Sequence, residues 1–137
     1  MNGKIWIVWA GLLGASGVGL GAFQAHGLTK WLAKQELSEA EISKRAANCE
    51  TAVRYQMYHS LALIGVGLLS PRRPNAATKI AGTFFLAGTT LFSGGLYLFV
   101  FTGNLGHWSI VPSGGLFLIV AWLALAGAGC GDIQDSD

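Results

Sequence analysis

The chain has 137 residues, of which 52% are hydrophobic and 12% charged, with a formal net charge of +2. Soluble domains carry about 25% charged residues, so this is a membrane composition. The length allows one domain, 1–137, with no appended catalytic module, and the small charge argues against nucleic acid as a partner.

Asp, Glu, Lys and Arg are absent from three windows: Ile5 to Thr29, Tyr55 to Pro71, and all residues between Lys79 and Asp132. A hydrocarbon layer of about 30 Å needs roughly 20 apolar residues as a helix. The third window is too long for one span and is interrupted near Thr102 to Pro112, so it holds two. The predicted fold is all-α: a membrane-embedded up-down bundle of four transmembrane helices. The spans fall at about 5–25, 52–70, 80–102 and 113–131, with an amphipathic connection over 27–50 and an acidic tail over 132–137.

Span one opens with Trp6 and Trp9, residues suited to an interfacial belt. Ala10, Gly14, Gly17 and Gly21 follow at small-xxx-small spacing, which marks a face for close helix packing within the protomer or between protomers. Met1 to Lys4 ahead of an apolar run has the outline of a signal peptide. The run is long for one, however, and Phe23 spoils the small-residue pattern before Ala25, so the segment is read as a span. Leu28, Trp31 and Leu32 recur at i, i+3 and i+4, with Lys30 and Lys34 on another face. That spacing describes either a short amphipathic helix in the interface or a loop anchored by Trp31.

Ser38-Glu39-Ala40-Glu41 is a capping box, and no Gly or Pro follows until Gly65. One continuous helix from Glu39 to Leu69 is predicted, about 46 Å long at 1.5 Å per residue. Its first turns, with Lys44, Arg45 and Glu50, should stand outside the hydrocarbon. Pro71 to Asn75 then turns the chain. Gly94 and Gly95 give span three a small-residue face of its own. Gly103 to Trp108 makes the next turn, Pro112 suits the first turn of span four, and the tail is expected to be disordered. Cys49 and Cys130 fall on opposite membrane faces, too far apart to bridge. Lys and Arg divide almost evenly between the two faces, so the positive-inside rule leaves orientation open.

The up-down topology gathers a candidate polar site toward one face: Gln24, His26, Arg54, Gln56, His59 and Tyr97, with Asn104 and His107 in the connection beyond. Gln56 and His59, at i and i+3, can share a helix face and clamp span two to its neighbours through hydrogen bonds. That structural reading leads. A polar pocket for a small molecule or lipid headgroup is a sharper alternative. Another is a His26 and His59 pair ligating haem iron or a metal, although no carboxylate or thiolate stands beside them. Arg45 and Arg54 near a membrane face suit either anionic lipid or simple snorkelling. No carboxylate lies inside a span, which argues against a proton-coupled exporter. No catalytic residue, metal ligand or cofactor is assigned, and no enzymatic activity is expected.

Several segments carry a family resemblance. Gly21-Ala22-Phe23-Gln24-Ala25-His26-Gly27-Leu28 resembles the GAFGAHGL segment of the YgdD/YwdK family of small membrane proteins, catalogued as a domain of unknown function (DUF 423). Thr51 to His59, followed by Ser60-Leu61-Ala62-Leu63, resembles its TAVQYQMYHALAL segment, and Leu91 to Leu98 its LFSGSLYL segment. Pro112 to Gly115 and Trp122 fit its final span. The chain departs at Gln24, Arg54 and Gly95, while His26 and His59 match. The resemblance implies a multi-pass protein, in the plasma (inner) membrane for bacterial members, and implies no activity. The function expected on these grounds is a small structural or accessory component in the lipid bilayer. It would pack through its glycine faces with a second copy or a larger membrane complex. An oligomeric small-molecule or ion transporter or channel is the first alternative, and a His-ligated haem or metal protein the second.

Overall fold

The computed structural model describes residues 3–71 and 75–134, with side chains over 3–71 and 75–129. The elements in chain order are α1 (Gly3–Phe23), a π turn (Gln24–Leu28), α2 (Thr29–Ala33), α3 (Glu39–Leu69), α4 (Ala76–Thr102) and α5 (Ile110–Gln134). The described residues contain no strand, and the architecture is all-α.

Neighbours in the chain are neighbours in space: α1 packs on α3, α3 on α4, and α4 on α5. The two central helices are thus α3 and α4, with α1 and α5 as flanks. One buried cluster joins all four long helices through Trp6, Leu63, Val66, Phe85, Leu118 and Ala121. A second, toward the opposite end, joins Leu28, Leu32, Cys49 and Val100.

Among the described residues, three helices are long and apolar enough to cross a membrane: the continuous Gly3–Ala33 helix, Ala76–Thr102 and Ile110–Gly129. The fourth predicted span lies in α3, which has the length but carries Arg54, Gln56, His59 and Ser60 in its middle. Its position accounts for all of these but Arg54, which is exposed. Gln56, His59 and Ser60 are buried against neighbouring helices, so α3 need not offer lipid an apolar surface all round.

Local signals account for the helix ends. Ser38 Oγ accepts from the Glu41 N–H at 3.3 Å, as the capping box predicts, and α3 runs the predicted Glu39–Leu69. Asn75 Oδ1 accepts from the Thr78 N–H at 2.9 Å to start α4. Gly103, at φ 75°, ends it in the left-handed conformation that glycine adopts without a Cβ penalty.

Several expectations are corrected. Trp6 is not an interfacial belt residue: it is 2% exposed and lies against Gly82 of α4, where the missing side chain makes room for the indole. Trp9 remains 40% exposed. The segment after Gly27 is helical and amphipathic, with Leu28 and Leu32 buried and Lys30 and Lys34 exposed. It continues the first helix through the π turn instead of forming a separate one. The wider turn changes which residues face inward, and brings Leu28 and Leu32 onto Cys49 and Val100.

Arg45 is turned into the protein and is neither snorkelling nor free to hold a lipid headgroup. It is buried, with Nε donating to Glu41 Oε1 at 2.9 Å and Nη1 to the Val100 carbonyl at 3.4 Å. Helix α5 runs through Gln134, so the first residues of the expected tail are helical. The Arg72–Pro74 turn, residues 135–137 and the Cys130 side chain lie outside the described residues.

Candidate functional site

Gln56 is the centre of the polar site. Its side chain is buried, and Nε2 donates to the Leu13 carbonyl at 2.7 Å and to Ser16 Oγ at 2.9 Å. Its Oε1 accepts from the Tyr97 hydroxyl at 2.8 Å. One amide therefore ties α3 to both α1 and α4.

Two local features make this possible. At Gly17 a Cβ would stand 2.8 Å from Met57 Sδ and 3.3 Å from Gln56 Nε2, so glycine lets α1 close on α3. Side chains on a helix lean toward its N-terminus, so the long Tyr97 ring reaches back along α4 to the level of Gln56.

Further hydroxyls stand around this centre. Ser93 Oγ donates to the Ala52 carbonyl at 2.9 Å, joining α4 to α3. Thr90 Oγ1 donates to the Leu86 carbonyl at 2.8 Å, and Ser16 Oγ to the Leu12 carbonyl at 2.9 Å. Thr89 is 2% exposed and its Oγ1 has no hydrogen-bond partner. These groups, with Leu13, Leu20 and Gly94, line a cavity of about 250 Å³ between α1, α3 and α4. Helices α1 and α4 meet at either end of it, through Trp6 on Gly82 and through the stacked rings of Phe23 and Phe101, 6.2 Å apart.

His59 belongs to a different contact. Its Nδ1 lies 2.7 Å from the Tyr55 carbonyl, and its Nε2 lies 3.3 Å from Trp122 Nε1. A carbonyl only accepts and an indole N–H only donates, which assigns the proton to Nδ1 and leaves Nε2 as the acceptor. The ring sits between Phe85 and Trp122, with centroids 5.8 and 6.2 Å away, and fastens α5 to α3.

His26 does not join it. Gly14 faces Ser60, Gly17 faces Met57 and Gly21 faces Val53, so α1 and α3 run antiparallel in a fixed register. His26 is therefore level with the region of Asn48, about 16 Å along α3 from His59 at 1.5 Å per residue. It is exposed. The proposed His26 and His59 ligand pair is not formed.

The other predicted site residues separate as well. Gln24 is half-buried in the π turn, and Arg54 is exposed and paired with Glu50 one turn back. Of the predicted packing glycines, Gly14, Gly17 and Gly21 face α3, and Gly95 faces Val111 and Ile110 at the start of α5. Only Gly94 has open space where a Cβ would stand. Of the six predicted site residues the structure joins Gln56 and Tyr97, and the sequence reading missed Ser16, Thr89, Thr90 and Ser93. A signal was present: Thr89, Ser93 and Tyr97 recur at i, i+4 and i+8, one polar stripe on an apolar helix.

The fold and this site define a small α-helical membrane protein with Gln56, His59, Thr89 and Ser93 turned inward. The family model described as a protein of unknown function, DUF423, matches residues 20–115, and the chain belongs to that family. Its relatives include a UPF0382 membrane protein of Staphylococcus aureus, 36% identical over 89% of this chain and 92% of its own length. A UPF0382 membrane protein of Haemophilus influenzae is 37% identical over 80% of each chain. The UPF0382 inner membrane protein YgdD of Escherichia coli K12 is 32% identical over 93% of this chain and 92% of its own. No solved structure matches.

Proposed function

We propose that the chain is a multi-pass plasma-membrane protein without enzymatic activity, serving as a small accessory component of a membrane complex. The observation that carries this reading is where its polar chemistry goes. Gln56 uses both ends of its amide within the fold, and His59 uses both ring nitrogens. Side chains spent on mutual hydrogen bonds hold helices together and are not poised for acid–base or nucleophilic work. The plasma membrane is favoured by the inner-membrane name of the Escherichia coli relative.

The predicted glycine faces are mostly consumed within the protomer, so a partner would meet the outward faces of α1 and α5. There Val8, Leu12 and Val18, and Leu116 and Leu123, are exposed. Crosslinking in native membranes followed by gentle purification tests this reading. A stoichiometric partner, or a second copy of the chain, is expected. Recovery of uncrosslinked monomers alone would overturn it.

A further inference from the structure

We propose that the cavity between α1, α3 and α4 binds a neutral, hydroxyl-bearing lipid, head first. This goes beyond the accessory role and does not depend on it. The cavity has a buried floor and an exposed rim: Gln56, Thr89 and Ser93 are buried, while Ser16, Thr90 and Gly94 are exposed. Its rim lies between the two points where α1 and α4 meet, so it opens sideways, toward lipid.

The hydrogen-bonding inventory selects the ligand. Ser16, Thr90, Ser93 and Tyr97 each donate their hydroxyl proton to a protein oxygen. Both Gln56 N–H groups are likewise used. What these groups still offer is lone pairs, since a hydroxyl oxygen keeps acceptor capacity after donating. Thr89 Oγ1 adds one donor and further acceptor capacity, buried and without a partner. No charged residue lines the cavity.

An acceptor-rich, charge-free floor fits a group that donates hydrogen bonds and carries no charge. A phosphate would meet lone pairs with no cation to offset its charge, and a choline headgroup has no N–H or O–H to give. A cavity of about 250 Å³ holds a glycerol-sized head and a few methylenes, leaving the rest of the lipid along the outer helix surfaces. Diacylglycerols, polyisoprenols and quinols share this chemistry.

The test uses the full chain in phosphatidylcholine nanodiscs with a diacylglycerol carrying a diazirine near its head. Crosslinks should map to α1 near Ser16 and to α4 near Thr90 and Gly94. Unlabelled diacylglycerol should compete, whereas phosphatidic acid, whose head is the charged phosphate itself, should not. Thr89→Val keeps the shape and removes one hydrogen bond, so competition should weaken about fivefold. Gly94→Leu enters open space and should close the rim, abolishing site-specific labelling while elution and melting stay as in the wild type. Should Gly94→Leu misfold, the isosteric Thr89→Val decides alone. If polyisoprenol or quinol competes better than diacylglycerol, the hydroxyl-lipid reading stands and the source is identified. Equal labelling of the outer face of α5, equal competition by phosphatidic acid, or an unchanged half-point in Thr89→Val would overturn the proposal.

Discussion

The Tyr97 hydroxyl, on α4, donates to Gln56 Oε1, on α3, at 2.8 Å. That bond also decides the orientation of the amide. With its oxygen held by Tyr97, the Gln56 nitrogen must face α1, where the Leu13 carbonyl and Ser16 Oγ both accept from it. Three helices are thereby set in register around one side chain, and the hydroxyl-lined cavity forms beside it.

This arrangement predicts coupled losses. Interhelical hydrogen bonds in membranes contribute about 0.6 kcal/mol each on average. Tyr97→Phe should cost about that much, and Gln56→Leu about 2 kcal/mol, because it removes several bonds at once. In a double-mutant cycle followed by denaturation in mixed micelles, the pair should lose less than the sum of the singles. Strict additivity would show that the two side chains do not interact.

The glycines of α1 should divide sharply by position. Gly17 lies against Met57 and Gln56, whereas a Cβ added at Gly19 would meet nothing within 4 Å. Gly17→Leu should therefore force α1 from α3 and cost about 1–3 kcal/mol, the range for overpacking. Gly19→Leu should be close to neutral in lipid. Melting temperatures of the two variants in one detergent provide the comparison, and equal values would contradict the observed helix faces.

Arg45 and Gly103 form a linked pair at the end of α4. The guanidinium occupies the space where a Gly103 Cβ would stand, and Gly103 has φ 75°. Gly103→Ala should cost about 1 kcal/mol from backbone strain alone, with a further loss as Arg45 is displaced. Arg45→Leu should cost about 2 kcal/mol, since it strips the Val100 carbonyl and Glu41 of a charged donor. Thermal unfolding measures both. A neutral Arg45→Leu would show that these two contacts contribute nothing to the fold.

Cys49 is fully buried, and burial pushes its thiol up from the usual range. The thiolate is the reactive form, so a raised value leaves less of it at any given pH. In a Cys130→Ser background, maleimide labelling at neutral pH should be slow in the folded protein and fast after denaturation. The rate-against-pH curve of the folded protein should lie at higher pH than that of the denatured one. Coincident curves would place the thiol in solvent.

How much of this was legible without tertiary contacts varies residue by residue. The bounds of α3 were, because a helix start is written within four residues: Ser38 caps Glu41, and no proline follows until Pro71. The inward use of Gln56 was also legible, since a buried amide among apolar residues needs a partner. The membrane class followed from the charge-free windows, and the family from segments such as Gly21 to Leu28.

The identity of each partner was not. Gln56 meets Ser16 and Tyr97 across about 40 positions of chain, and that choice depends on how each helix is rotated about its axis. The same rotation turns Trp6 inward onto Gly82, buries Arg45 beneath Gly103 and sends His59 to Trp122. It also leaves His26 outside, a helical distance away. The sequence by itself determined which segments are helical and that the chain lives in a membrane, because caps and apolar runs act locally. Only the tertiary structure decided which polar groups meet and that they enclose a cavity, because those outcomes depend on close packing between helices far apart in the chain.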